Sequence, residues 1–562
     1  MDPLKAPSVG SGRRSASSLA AAGCLGLVGT VALLCGVSLE RNSGHFVYAL
    51  DDPAIHLSIA TQLVHHATWG VVAGHFSSSS SSPAWTVLLA AVIGIAPWLQ
   101  SLAPLLLNLV CAFWCVALLA PALDGATRRV PQVLRLVAAA LVPTLILFLP
   151  GLVMVGMESI LHAVLALLLI SQVPRWREEP QARLRLCVLA ALATTVRYES
   201  IFVVTGVAVA LLLQSQSERG WRHIDRNALR TSAAMMICGI APVIAVGVID
   251  LANGGYFFPN AIMAKSTLRA SSGHVVRGPS AAFAQLRQDP LLLALVAAAV
   301  IFVLCSILRF RLRRQLPLVT AFLTAVVLHL LTANVAARLG FLRYQTYLVV
   351  MGIYVLLEIG AHVELARPTL AVTSCLLAVL LLSIPRISLL TQTPLATSNT
   401  YRQRYQLGLF LQRYYDGRPV ATTELGYVSL FHDGPVTDLL GLGDTEVLRL
   451  RQSHHGLAPA DALTRMMRRR GVQVIGAYPD TLAIVSQPSW ILVGEWDLSE
   501  PLVSARNPLQ FWALDESAAR QLEANLRSFA RALPSHVKYL NRDQLVQRYV
   551  QNSGREAGAL PG

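Results

Sequence analysis

Residues 17–52 read SSLAAAGCLGLVGTVALLCGVSLERNSGHFVYALDD. The apolar run from about 17 to 39 is long enough to cross a bilayer, which takes about 20 residues. Basic residues precede it, and it is longer than the apolar part of a signal peptide. The stretch predicts an uncleaved first membrane span with a cytoplasmic N-terminus. It also predicts an acidic pair, Asp51 and Asp52, at the opposite face of the membrane.

The composition extends this prediction to the whole chain. Of its 562 residues, 54% are hydrophobic and 14% are charged, with a mean hydropathy of +0.54. A soluble domain carries about 25% charged residues. The net charge of +15 lies in short basic clusters between apolar runs, which is typical of topology determinants. We therefore expect a polytopic membrane protein surrounded by membrane lipids, with no nucleic-acid partner.

Eleven apolar segments are candidate spans: 17–39, 102–121, 132–150, 157–173, 184–197, 200–214, 231–251, 290–308, 317–334, 344–361 and 368–385. The basic clusters then fall in alternate loops, on the side of the N-terminus, which the positive-inside rule makes cytoplasmic. This alternation requires that the short segment 84–97 is an interfacial or re-entrant helix. The protein is expected in the cell (inner or plasma) membrane.

The polar remainder, residues 386–562, mixes strand and helix patterns. GVQVIGAYP and WILVGEW predict strands, whereas PADALTRMMRRR and DESAARQLEANLRSFARAL predict helices. The predicted fold is a polytopic α-helical domain, 1–385, followed by an extracytoplasmic α/β domain, 386–562. The first external loop, 40–101, belongs to the helical domain.

Polar residues collect at one end of the predicted spans. Besides the acidic pair, they are Glu158, Arg197, Glu199, Asn260, Lys265, Arg338 and Arg343. Each alone suits an interfacial anchor, and Arg197 with Glu199 suits a structural ion pair. Together they predict a polar cavity, open to the outside, under the C-terminal domain.

The chemistry of these side chains points to a class of reaction. Carboxylates suit general-base catalysis on a hydroxyl, or binding of a hard divalent cation. Lysine and arginine suit an anionic leaving group such as phosphate. A base and a phosphate site at the outer membrane face describe glycosyl transfer from a lipid-phosphate sugar.

Seven segments carry a family resemblance over about residues 50–445. They are DDPAIHLSIATQLVHH, SSSSPAWTVLLA, GMESILHA, TVRYESI, GYFFPNAIMAKS, LRYQTYL and TTELGYVSLFHDGPVTDLLGLGD. In this order they resemble the GT-C class of integral membrane glycosyltransferases. Within that class they look most similar to bacterial polyprenyl-phosphate-sugar enzymes of the cell-wall arabinofuranosyltransferase kind.

The resemblance implies an inverting glycosyltransferase. Its donor would be a polyprenyl-phosphate sugar, for which the resemblance suggests arabinofuranose, and its acceptor a cell-envelope glycan or lipid. Asp51 or Asp52 would be the general base or would hold a divalent cation (Mg, Mn or Ca). Segments 53–70 and 84–97 would lie along the outer leaflet. Substrate-binding roles would fall to His56, Glu158, Arg197, Glu199, Asn260, Lys265 and Arg343.

The sequence does not decide which aspartate is the base. If the helix begins at Pro53, Asp52 caps it, and this favours Asp51 as the base. His56 shares a helix face with Asp52, so the two are an alternative metal pair. His65, His66 and His75 are expected to be interfacial polar residues.

Other readings stay open. A serine run at 77–82 is longer than the family's matching stretch, and Ala261 stands where threonine is common. In the soluble part, four acidic residues suit either turns or acceptor contacts: Glu424, Asp433, Asp438 and Asp444. Three tryptophans suit a buried core or sugar stacking: Trp490, Trp496 and Trp512. The alternative functions are a flippase of lipid-linked sugars and a non-catalytic envelope-assembly protein.

Overall fold

The computed structural model describes residues 9–177, 179, 181–219, 225–264, 279–308, 314–332, 340–364, 366–482, 485–486, 490–503 and 506–548. The helices of its larger part are α1 Val9–Arg41, α2 Asp52–His66, α3 Pro83–Ile95, α4 Ala103–Thr127, α5 Gln132–Leu141, α6 Leu149–Val155, α7 Ser159–Ser171, α8 Ala182–Val196, α9 Ser200–Arg219, α10 Arg226–Ala252, α11 Pro279–Leu286, α12 Pro290–Leu308, α13 Leu316–Thr332, α14 Thr346–His362, α15 Pro368–Leu382 and α16 Ile384–Thr400.

Each of the eleven predicted spans coincides with a helix or helix pair, and the chain is a multi-pass membrane protein. Within the described residues, four helical stretches are long and apolar enough to cross a membrane: Arg14–Arg41, Pro97–Thr127, Gln132–Val155 and Arg226–Ala252. A bent pair, Pro368–Leu382 with Ile384–Tyr415, would make a fifth. The other apolar helical stretches are 10–17 residues long, among them Ser200–Gln214 within α9 and Pro290–Ser306 within α12. The predicted number of eleven spans is therefore not confirmed.

Two spans are interrupted. In the span 132–155, a π-helical turn at Val142–Ile146 joins α5 to α6. Pro143 lies in this turn, and proline lacks the N–H that a continuous helix needs. The second interruption is the 53° bend between α15 and α16. It lies next to the predicted domain boundary at 385, and that boundary stays a prediction.

The predicted amphipathic segments form α2 and α3, which pack against each other. α2 begins one residue earlier than predicted and ends at His66, where Ala67 adopts a left-handed conformation. The exposed residues His65 and His66 lie in its last turn, as expected of polar interfacial side chains. At 13 residues, α3 is too short to span a bilayer.

The C-terminal part is a mixed sheet with helices on both faces. Its elements are α17 Gln406–Tyr415, β1 Val420–Thr422, α18 Gly426–Phe431, β2 Val436–Asp438, α19 Thr445–Gln452, β3 Ala458–Pro459, α20 Ala460–Arg469, β4 Ile475–Ala477, α21 Pro479–Leu482, β5 Val485–Ser486, β6 Ile491–Leu498, β7 Leu509–Ala513, α22 Glu516–Phe529 and β8 Val537–Asn541. The main sheet has the order β2-β1-β4-β7-β6-β8, with β3 and β5 paired separately. Strands β2, β1 and β4 run parallel, and the remaining neighbours are antiparallel.

This part has its own apolar cores. Phe410, Trp496 and Phe529 belong to the cluster that α17 and α22 share with the sheet. Trp490 belongs to a second cluster and donates its Nε1–H to Thr464 Oγ1 at 2.8 Å. The two predicted strands and two predicted helices are confirmed as β4, β6, α20 and α22. Two of the three tryptophans are thus buried core residues.

Candidate active site

The acidic pair lies where the chain leaves α1 and enters α2. The helix begins at Asp52 with proline at the next position, where a missing N–H costs nothing. Asp51 therefore occupies the N-cap position, and its side chain makes no capping bond. The prediction that Asp52 caps the helix is wrong by one residue. The two neighbouring carboxylates consequently point to different surroundings.

Asp51 faces the C-terminal part of the chain. Its Oδ2 accepts from the N–H of Gly426 at 2.7 Å, and its Oδ1 accepts from the N–H of Tyr427 at 3.0 Å. The residue is 7% exposed. Burial, aided by the nearby charge of Glu424, raises the pKa of Asp51 to about 7. Asp51 thus joins the acidic loop to the start of α18.

Asp52 instead faces a cavity between the helices. The Nη2 of Arg343 donates to its Oδ2, and the side chain of Asp52 is 37% exposed. Arg343 comes from the segment just before α14, far along the chain. Its Nη2 also reaches the Tyr344 hydroxyl at 3.2 Å. Asp52 is therefore the member of the pair that a bound substrate can reach.

A second arginine lies between two carboxylates beside this pair. Arg197 Nη1 donates to Glu158 Oε1 at 2.6 Å, and its Nη2 donates to Glu199 Oε1 at 2.8 Å. Glu158 is fully buried, whereas the Glu199 side chain is 29% exposed. Desolvation by burial raises the pKa of Glu199. The positive charge and the hydrogen bond of Arg197 lower it by more, so the pKa of Glu199 is about 2. Arg197 and Glu199 therefore form an ion pair on the cavity wall.

Tyr344 connects the two arginines. The guanidinium carbons of Arg197 and Arg343 lie 5.1 and 5.0 Å from the centre of its ring. A cation over an aromatic face is stabilised by about 0.5–2 kcal/mol. Sequence reasoning did not single out Tyr344, although it lies inside the segment LRYQTYL. The ring holds both cations at one wall of the cavity.

The cavity has a volume of about 470 Å³. Its polar lining includes Asp52, His56, Ser79, Ser81, Arg197, Tyr198, Glu199, Thr332, Arg343 and Tyr344. Its apolar lining includes Ile55, Met157, Ile201, Phe202, Phe258, Ala261, Ile262 and Leu442. Seven regions of the helical part and one loop of the C-terminal part meet here. The volume and the mixed lining are those of a small-molecule site.

Three other predicted site residues have different positions. Glu158 lies behind Arg197 and does not line the cavity. Asn260 is fully buried, and its Nδ2 donates to Thr445 Oγ1 at 2.9 Å, which links the cavity loop to α19. Lys265 lies outside the described residues. Of the nine predicted residues, five line the cavity: Asp52, His56, Arg197, Glu199 and Arg343.

The serine run supports the cavity wall. Ser78 Oγ donates to Asp250 Oδ2 at 2.6 Å, and Ser82 Oγ donates to the Val196 carbonyl at 2.5 Å. Ser80 hydrogen-bonds Thr86, which also contacts His56 Nδ1 at 2.9 Å. These bonds attach a short extended segment to α2, α3, α8 and α10. The run therefore positions the wall, a role that its low complexity does not reveal.

The four acidic residues of the soluble part have structural partners or lie exposed. Glu424 pairs with Arg404, and Asp444 caps α19 by accepting from the N–H of Glu446 at 3.1 Å. Asp438 accepts from the N–H of Leu440 at 2.9 Å and of Gly443 at 2.8 Å. Asp433 is exposed. The turn that Asp438 shapes places Leu442 on the cavity, a contact that the sequence did not predict.

A metal site does not emerge from the acidic pair. No group of three or more histidine, cysteine, aspartate or glutamate side chains within the described residues is placed to hold an ion. Asp51 binds backbone amides and Asp52 binds Arg343, so the two carboxylates do not converge on one point. The predicted cation at Asp51 and Asp52 stays a prediction that these contacts do not favour.

Comparisons with known proteins bear on the fold. Residues 395–515 match a family described as "Domain of unknown function (DUF8728)". No curated protein matches the sequence. The crystal structure of ArnT from Cupriavidus metallidurans bound to undecaprenyl phosphate has a TM-score of 0.50 and 12% identity, covering 87% of this chain and 98% of that chain. The apo structure of ArnT gives the same values.

The oligosaccharyltransferase from Archaeoglobus fulgidus, in complex with Zn and sulfate, has a TM-score of 0.47 and 10% identity, covering 89% of this chain and 77% of that chain. The likeness to ArnT shows the fold, which is the GT-C fold predicted from the seven segments.

Proposed function

We propose that this multi-pass protein with the GT-C fold is a glycosyltransferase that moves a sugar from a polyprenyl-phosphate donor to an acceptor hydroxyl. The observation that carries the proposal is the cavity, in which Asp52 faces Arg343 with Arg197 and Glu199 beside them. The Asp52 carboxylate and two guanidinium groups that are held by ion pairs line this cavity together. Those are the groups that sugar transfer from a phosphate leaving group requires.

Asp52 is the general base in this proposal. Its carboxylate is partly exposed on the cavity, whereas Asp51 has both oxygens occupied by backbone amides. Asp52 takes the proton of the acceptor hydroxyl, and the hydroxyl oxygen forms a bond to the anomeric carbon. The bond from that carbon to the phosphate oxygen breaks at the opposite side. One displacement without an enzyme nucleophile inverts the anomeric configuration.

Arg343 and Arg197 stabilise the polyprenyl phosphate that leaves. A guanidinium has five N–H donors, so the bond to Asp52 leaves Arg343 with donors for phosphate oxygens. Arg197 is held by Glu158 and Glu199, which fixes its position but reduces the positive charge available to a ligand. Arg343 is therefore the main phosphate ligand. The donor roles of Lys265 and Asn260 stay predictions from the sequence.

The apolar wall suits the donor's lipid. Phe258, Ala261 and Ile262 line the cavity on the segment after α10, and Phe258 is 42% exposed. ArnT, with which this chain shares its fold, was crystallised with undecaprenyl phosphate. A prenyl chain that leaves the cavity along this wall replaces water around apolar side chains. The donor is thus a lipid-linked sugar rather than a soluble nucleotide sugar.

The finer assignments rest on the sequence. The alternation of basic loops places the cavity and the C-terminal domain at the outer face of the cell membrane. The family resemblance suggests arabinofuranose as the sugar and a cell-envelope glycan or lipid as the acceptor. The membrane face, the sugar and the acceptor are therefore part of the proposal, as is the reaction.

A donor panel tests the reaction. Purified protein in lipid nanodiscs is incubated with polyprenyl-phosphate arabinofuranose, mannose, galactose and an aminosugar, each with a mixed cell-envelope acceptor fraction. We expect one donor to be consumed, with polyprenyl phosphate released and inversion at the product's anomeric carbon. A parallel arm with EDTA measures the need for a cation. Folded protein that binds the lipids but consumes none of them would contradict the proposal and favour the flippase or assembly alternatives.

A further inference from the structure

A second, basic groove lies on the C-terminal part, between α19 and α20. Its volume is about 720 Å³. Four arginines line it, Arg449, Arg465, Arg468 and Arg469, against a single carboxylate, Glu446. All four arginines are exposed. The groove therefore carries a net charge of about +3 from these side chains, by formal charge.

The arginines keep hydrogen-bonding capacity for a ligand. Arg469 reaches Glu446 at 3.3 Å, and both side chains are more than half exposed, so the pair is weak. Arg468 donates to the Leu514 carbonyl at 3.3 Å. No ion pair or hydrogen bond is made by Arg465 within the described part of the chain. Guanidinium groups bind phosphate and carboxylate oxygens in pairs, so this groove suits an anion-bearing ligand.

Helix α19 connects the groove to the proposed active site. Thr445, at the start of α19, accepts a hydrogen bond from Asn260, and Leu442, three residues earlier, lines the cavity. Arg449, one turn further, donates to the Gly254 carbonyl and lies over the Tyr256 ring. The eight residues of α19 span about 12 Å. A polymer with one end in the cavity would reach the groove within a few sugar units.

The lining of the groove combines apolar and charged side chains. Leu450, Ala462 and Met466 line it beside the arginines. The C–H faces of sugar rings can lie against such apolar side chains while anionic groups on the rings reach the guanidinium groups. A glycan is favoured over a membrane surface because α19 connects this groove to the loop that lines the cavity.

We propose that this groove binds an anionic stretch of the acceptor glycan, with carboxylate or phosphate groups along the chain. The inference rests on the proposed function and adds the chemical class of the acceptor. The groove holds the acceptor while its terminal hydroxyl enters the cavity beside Asp52.

The test measures binding without turnover. The full chain in neutral phosphatidylcholine nanodiscs is titrated with fluorescent oligogalacturonate of about eight residues, and with maltooctaose as the neutral match. We expect oligogalacturonate to bind at least tenfold more tightly. The double variant Arg465→Gln/Arg469→Gln is expected to weaken it about tenfold. Glu446→Gln removes the opposing charge and is expected to strengthen it about threefold.

The controls separate the outcomes. Arg531→Gln/Arg542→Gln removes two exposed arginines away from the groove and should leave binding unchanged. Equal binding of both glycans, or an unchanged affinity in Arg465→Gln/Arg469→Gln, would overturn the inference. So would arginine-dependent binding of phosphatidylglycerol vesicles without binding of oligogalacturonate, because the partner would then be lipid. If the protein binds oligogalacturonate through these arginines but consumes no donor, the proposed function is refuted, whereas the anion-binding groove is not.

Discussion

Asp51 and Asp52 are adjacent, yet their carboxylates have different partners. Asp51 is 7% exposed and accepts from two backbone amides, whereas Asp52 lies on the cavity against Arg343. The start of α2 causes the divergence: Asp51 already has helical backbone angles, and successive residues of a helix project about 100° apart around its axis. From the sequence alone, the capping argument favoured Asp51 as the base. The contacts favour Asp52.

Arg343→Gln is expected to raise the KM for the donor about 10- to 100-fold, since a charge-assisted hydrogen bond to phosphate contributes about 1.5–3 kcal/mol. Arg343→Lys keeps the charge without the planar fork and should recover part of the loss. Steady-state kinetics at varied donor concentration measures both. The matched control is Arg413→Gln, an exposed arginine of α17. A donor KM unchanged in Arg343→Gln would contradict the assignment.

Glu158→Ala is expected to destabilise the protein by up to about 3–5 kcal/mol, because it removes one partner of a buried ion pair. Glu158→Gln keeps an acceptor for Arg197 and should be milder. Thermal unfolding in detergent measures the difference. Glu364→Ala, at a side chain that is 91% exposed, is the control and should unfold like the wild type. An unfolding temperature of Glu158→Ala equal to that of the wild type would show that Glu158 does not stabilise the position of Arg197.

The start of α18 is packed directly on the acidic loop. A Cβ on Gly426 would lie 2.3 Å from the Asp51 carbonyl oxygen and 2.6 Å from its carboxylate. Gly426→Ala is therefore expected to separate α18 from the loop and to lower both turnover and the unfolding temperature. Gly417→Ala is a control for glycine substitution at an open site, although its positive φ adds a small strain of its own. Wild-type turnover in Gly426→Ala would contradict this contact.

The contact between Asp51 and α18 is also expected to depend on pH. The pKa of Asp51 is about 7 in the folded protein against an ordinary 3.8, so the folded state binds more protons between these values. Its stabilising effect is fully present below pH 3.8 and is lost as the pH rises through 7, by up to about 1.4 kcal/mol per pH unit. The unfolding temperature of the wild type, relative to that of Asp51→Asn, should therefore fall as the pH rises from about 4 to about 7. A constant difference would refute the raised pKa.

The apolar and amphipathic patterns predicted the helices well, because burial in lipid or against a neighbour imposes a clear period on the residues. Helix α20 and strand β6 follow their patterns for the same reason. Interruptions of helices and the contacts of irregular segments were harder to predict. The turn at Val142–Ile146 depends on how neighbouring helices pack, and the bonds of the serine run involve residues more than 100 positions away, such as Val196.

The site is built from both parts of the chain, and only some of its residues could be predicted from the sequence. Residues such as Asp52, Arg197 and Arg343 were predictable, because charge at the end of a span is costly and therefore conspicuous. Leu442 and Tyr344 were not, since an apolar or aromatic residue carries no such signal. The sequence did not predict the contact of Asp51 with Gly426, because it joins residues 375 positions apart. Long-range docking of this kind leaves no local pattern.

The most direct test of this account is the rate of sugar transfer by Asp52→Asn, at saturating donor and acceptor, beside the wild type and Asp51→Asn. We predict that Asp52→Asn lowers kcat about 10²- to 10⁴-fold, the usual contribution of a general base, while donor binding and the unfolding temperature are retained. Asp51→Asn should keep most of the activity. A kcat of Asp52→Asn within a fewfold of the wild type, or loss of turnover in a fully folded Asp51→Asn instead, would contradict the assignment of Asp52 as the base.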